Sequence, residues 1–255
     1  MKKIFTVLCV VCVMAVNVSG RNVKRLVNQA RNGDAEACRE LALCYRDGDH
    51  VRQSWLNMLC MYEIYCDKEG KDIDDILSIV DEDHPFRPVK EIILSSSYEE
   101  SDSVLIVKLE QACPVEAKAV KTIMGCYENE DEEALMGVLR GLEAEGSEMA
   151  IIGQWMYYGQ VSDNAKLEES YVRFAKNYPA FNLLLGDLYL KKYAECKDFS
   201  YVRKAIECFY EADSHGMLCR RYAGRLVGLY DCYGSEIECS DKELVRLKKL
   251  TAVRR

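Results

Sequence analysis

Between Ala35 and Asp47 apolar residues return at helical spacing. Ala37, Leu41, Cys44 and Tyr45 fall at i, i+4, i+7 and i+8 and form one stripe. Asp34 stands where an N-cap is expected, and Gly48 where a left-handed stop is expected. The pattern predicts a second helix from about Gln53 to Asp67, with Trp55, Leu59, Tyr62 and Cys66 on its stripe and Gly70 at its end. Two antiparallel helices in about thirty-six residues make one αα-hairpin.

A small residue sits inside the first stripe. Ala42, beside Leu41 and three before Tyr45, lets two helix backbones approach while the larger side chains fill the flanks. The motif recurs as Met124-Gly125, Ile152-Gly153 with Met156 and Gly159, Leu185-Gly186 with Tyr189, and Val227-Gly228 with Gly234. Apolar-striped second helices are predicted near 131–145, 163–177 and 199–213. Recurrence at this interval, although irregular, is the signature of stacked helix pairs. The expected class is all-α: an α-solenoid of antiparallel helix pairs. Residues 71–112 are the divergent part, two or three helices around an "HPFRP" break. Residues 240–255 read as an N-capped amphipathic closing helix.

The run "NGDAEACRELALCYRDGDHV" followed by "MYEIYCDKEG" resembles a Sel-one-like repeat, a relative of the tetratricopeptide repeat. That family's pattern is Ala-x-Ala, then Leu-Gly-x-x-Tyr-x-x-Gly-x-x-Val, then a helix carrying Lys-Ala and Trp-Tyr before a closing Gly. Ala35, Ala37, Leu41, Tyr45, Gly48 and Val51 match, with Ala42 in place of the Gly. Tyr62 matches the late aromatic, and Gly70 closes one residue late. Leu185, Gly186, Tyr189, Lys204, Ala205, Phe209, Tyr210 and Gly216 match a second copy. Residues 117–160 match weakly and 71–112 hardly at all. The resemblance implies architecture and leaves the ligand open.

Residues 1–20, "MKKIFTVLCVVCVMAVNVSG", have a basic start, a short apolar run and small residues near Gly20. This is the pattern of a cleaved signal peptide, so a periplasmic or secreted location is expected. The run is too short for a comfortable membrane span, and stable membrane insertion after cleavage is not expected. The net charge is −8, and losing Lys2 and Lys3 with this segment leaves −10. So acidic a chain repels a polyphosphate backbone, which argues against nucleic acid as a partner. No phosphate loop, nucleophile elbow or zinc-protease helix is present, and no Cys-x-x-Cys occurs after residue 20. No metal, cofactor or enzymatic activity is therefore expected.

In an antiparallel pair, residues at one height share a constant index sum. Cys38 with Cys66 and Cys44 with Cys60 both satisfy it, so both are candidate staples across the first hairpin. Cysteine-rich members of the resembled family carry such staples. Cys208 with Cys219 and Cys232 with Cys239 are candidates across two turns. One objection is geometric: six residues along a helix rotate a side chain by about 240°, so Cys38 and Cys44 must straddle the contact line. Small buried apolar thiols are the alternative reading.

In helical arrays the first helix of each pair lines the concave side. Counting from the small position places Arg39, Leu43 and Arg46, then Gln154 and Tyr157, then Asp187, on that side. Their mixture of apolar, aromatic and charged types suits a protein or peptide partner. The expected role is an exported scaffold or adaptor. An envelope hydrolase or cell-wall-modifying enzyme and a disulfide-stapled structural protein are the alternatives.

Overall fold

The computed structural model describes residues 22–71, 79–81, 84–89, 101–125, 132–160 and 163–252. The signal-like segment 1–20, Cys126 and much of 71–100 lie outside the described residues. Twelve α-helices and no strand occur among those described. They are α1 Val23–Arg31, α2 Ala35–Asp47, α3 Trp55–Glu69, α4 Ser101–Ala112, α5 Pro114–Gly125 and α6 Glu132–Ala144. Then follow α7 Glu148–Gln160, α8 Asn164–Ala175, α9 Phe181–Cys196, α10 Ser200–Ser214, α11 Arg220–Tyr233 and α12 Asp241–Thr251.

Local chemistry sets the boundaries. The Asp34 carboxylate accepts from the Ala37 amide at 3.2 Å and opens α2. Gly48, at φ +72°, closes it in the left-handed conformation, and Gly70, at φ +65°, closes α3 the same way. Ser54 caps α3 through the Asn57 amide, and Ser240 caps α12 through the Glu243 amide.

Consecutive helices pack in pairs, most extensively α2 on α3 and α9 on α10. The small-residue positions explain two of these approaches. A Cβ on Gly186 would stand 2.4 Å from the Phe209 ring, so only glycine admits that ring between α9 and α10. Phe209 is fully buried, a contribution of about 2–3 kcal/mol. A Cβ on Gly153 would meet Ile123 of α5 at 2.7 Å, which brings α5 against α7, the non-consecutive neighbour it packs on. Gly125, Gly159 and Gly228 have open space around them and play no such part.

Two long-range links reach beyond the pairs. Arg31 at the end of α1 and Arg246 of α12 both bind the fully buried carboxylate of Asp213 at the end of α10. Trp55 and Leu56, at the start of α3, are held by carboxylates on α5 and α7. The segment α1–α3 is thus gripped on both flanks. Arg246, on the closing helix, points inward, with Leu247 fully buried beside it. No helix among the described residues is long and apolar enough to cross a membrane.

Candidate functional site

A helix N-terminus presents unpaired amides and the positive end of a dipole, so it attracts carboxylates. Two such termini meet here. Glu116 of α5 reaches the start of α7 and accepts from the amides of Glu148 at 2.9 Å and Met149 at 3.0 Å. The same carboxylate accepts from Ser147 Oγ and, at 2.9 Å, from the Trp55 indole. Glu148 in turn accepts from the Leu56 amide at the start of α3, at 2.7 Å. Both carboxylates are buried. Burial, with the Glu116 charge adding to it, raises the Glu148 pKa to about 7 against hydrogen bonds from Leu56, Ser54 and Tyr178. These groups fix the start of α3 against the start of α7.

That junction walls a cavity of about 650 Å³ between α3, α7, α9 and the start of α11. Its lining is mainly apolar, with Leu56, Ile64, Ile152, Phe181 and Leu184 prominent. Trp155, half open to solvent, stands on one side with its indole nitrogen donating to Tyr171 Oη at 3.0 Å. The mouth is charged with both signs. Asp67 holds Arg220 at 3.1 Å, Glu63 lies one turn before it, and Arg221 is 67% exposed. Partial burial raises the Glu63 carboxyl above its ordinary value, with the like charge of Asp67 adding to it. Cys60 and Cys219 share the wall, and burial pushes the Cys60 thiol up to about 12. A thiol so protonated is a poor nucleophile.

The residues singled out from sequence do not gather here. Leu43 is buried in the core. Gln154 is fully buried, with Nε2 donating to Glu143 and Oε1 accepting from Arg173 at 2.7 Å, so it is packed rather than presented. Gln154 is covered on that side of α7 by Glu143 of α6 and Arg173 of α8. Arg39 pairs with Glu36 on the surface of α2. Arg46 binds Asp47 and the Ile79 carbonyl. Tyr157 is half-buried against Tyr158. Asp187 is closest to the cavity, pairing with Arg225 and accepting from Tyr222 Oη at 3.2 Å, and Tyr222 lines the wall.

No disulfide pair is seen among the described cysteines. Cys38, Cys44 and Cys66 are buried, Cys60, Cys208, Cys219 and Cys239 are partly buried, and Cys232 is exposed. In the first hairpin Cys38, Cys44 and Cys66 lie in the core, whereas Cys60 turns onto the cavity wall. Cys232 is exposed and the Cys239 thiol bonds the Ser240 carbonyl.

The cavity residues escaped sequence reasoning because α3 and α9 are apolar around most of their circumference. That feature does carry a signal: a helix apolar on all sides is enclosed on all sides. Glu116 and Glu148 had no signal, being two acids among forty-two. No family model, curated protein or solved structure matches the chain.

Proposed function

We propose that this chain is an exported helical-repeat binding protein of the Sel-one-like kind, and that the α3–α7–α9–α11 cavity takes an apolar segment of a protein or peptide partner. Its helix pairs stack as a solenoid, curled until α1 meets α10 and α12, and the curl narrows the concave side to this cavity. The observation that carries the reading is an apolar, solvent-open wall bearing a half-open Trp155 under a mouth of Asp67, Arg220 and Arg221. Aromatic and arginine anchors around an apolar centre are the usual composition of a recognition site. A mouth with both signs of charge orients a bound peptide. Glu116 and Glu148 are engaged by main-chain donors, which supports a scaffold over a hydrolytic centre. The signal-like segment 1–20 supports export.

Site-specific photocrosslinking tests the site. A photoreactive residue at Ile152 is expected to capture a partner in cells, whereas one at Val245, exposed on α12, is not. A synthetic peptide from the captured region should bind the wild-type protein and bind Leu184→Arg at least about tenfold more weakly. Equal capture at both positions, or equal peptide affinity in the folded variant, would overturn the proposal.

A further inference from the structure

A second cavity, of about 450 Å³, lies on the other side of the α3–α7 junction and has the opposite character. Three arginines converge on it from three segments: Arg52 from the loop before α3, Arg140 from α6 and Arg173 from α8. The one carboxylate in its wall, Glu143, is already engaged. Arg173 grips it with Nε at 3.0 Å and Nη2 at 3.2 Å, and Gln154 Nε2 donates to it at 2.9 Å. That triangle neutralises Arg173 and holds it rigid, with its guanidinium 4.9 Å from the Phe174 ring centroid.

Arg52 and Arg140 are not neutralised in this way. Arg140 donates to Tyr158 Oη at 3.3 Å, and neither has a carboxylate partner among the described residues. Arg52 lies over the turn between α6 and α7. Its Nη2 would be 3.5 Å from a Cβ on Gly146, whose φ of +102° already requires glycine. The cavity therefore carries two unbalanced positive charges in a chain whose net charge is −8. The buried carboxylate of Glu148 stands behind Tyr178 and does not line the cavity.

We infer that this cavity is a binding site for the phosphate group of a small phosphomonoester. Guanidinium forks bind carboxylate and phosphate alike, but one fork satisfies a planar carboxylate. Arg52 and Arg140, arriving from different segments beside the held Arg173, suit a tetrahedral group. A phosphomonoester carries close to two negative charges near neutral pH, which equals the excess here. The volume falls within the range of small-ligand sites, and Phe174 with Ile151 offers an apolar face to the rest of the molecule. The acidic exterior repels long polyanions, so the site selects a compact ligand over nucleic acid.

Calorimetric titration at low ionic strength tests this, with phenyl phosphate, inorganic phosphate and benzoate as probes. Phenyl phosphate is expected to bind saturably and to weaken with added salt, inorganic phosphate to bind more weakly, and benzoate to bind weakest. Arg52→Gln and Arg140→Gln, checked for unchanged circular dichroism and melting temperature, should each lower phenyl phosphate affinity about tenfold. No saturable binding up to about 10 mM would overturn the inference. So would benzoate binding as tightly as phenyl phosphate, or unchanged affinity in both folded variants. Photocrosslinking at Ile152 reads the apolar cavity alone, so the two sites succeed or fail separately.

Discussion

Arg246 lays its two terminal guanidinium nitrogens on the carboxylate of Asp213, at 3.2 and 2.8 Å, across 33 residues of chain. Arg31 takes the same carboxylate at 3.1 and 2.9 Å. Asp213 is fully buried, and only the arginines reach water. Removing the shared acceptor leaves two cations facing an apolar seam. Asp213→Ala is expected to cost about 3–5 kcal/mol in chemical denaturation at neutral pH. Arg31→Ala should cost less than Arg246→Ala, because the Arg31 side chain is 37% exposed against 15%.

The contact of Gly186 with Phe209 gives a second prediction. Gly186→Ala places a methyl group inside the ring's volume and should destabilise the protein by about 1–3 kcal/mol. Phe209→Leu in the same chain should recover part of that loss, so the two effects are non-additive. Gly228→Ala, in a helix with open space around it, should instead stabilise by about 0.5–1 kcal/mol. Thermal melts of Gly186→Ala, Phe209→Leu, the double variant and Gly228→Ala decide this.

Glu148 makes stability depend on pH. Its pKa of about 7 exceeds the ordinary carboxyl value, so the folded protein holds this proton more tightly than the unfolded chain. The resulting stability is fully present below about pH 4.5 and is lost as pH rises through about 7. Glu148→Gln keeps an acceptor for the Leu56 amide and removes the titration. The stability of the wild type relative to Glu148→Gln should therefore fall by about 3 kcal/mol between pH 4.5 and 7.5. Parallel curves for the two proteins would contradict the buried-carboxyl account.

The thiols can be read by alkylation of the native protein followed by mass spectrometry. Exposed Cys196 and Cys232 should label first, and buried Cys38, Cys44 and Cys66 only after denaturation. Cys60 should be slow at neutral pH, because burial holds its thiol protonated.

Short-range physics was legible in the sequence. Asp34, Gly48 and Gly70 bound the first two expected helices as predicted, and Ser240 opens the closing helix. The small position at Gly186 was legible too, because a repeat pattern encodes which residue must be absent for a neighbour to enter. What the sequence left open was angular. An index sum gives height along an antiparallel pair and says nothing of azimuth, so it could not place Cys60 on the cavity wall. The inner-face count could not foresee the burial of Gln154, since it did not include the helices packed over α7. Glu116 and Asp213 were illegible because their partners lie 31 or more residues away, and only the closed fold brings them near.

A row of helices joined only to its neighbours frays from the edges inward, because the outermost member has half the contacts of any other. Here Val23–Arg31 is pinned through Arg31 to Ser200–Ser214, and Asp241–Thr251 is pinned to the same carboxylate. The cheapest route of opening is thereby removed. Amide protons in the first and last of these helices should exchange with solvent at rates closer to those of the interior than to those of loose margins.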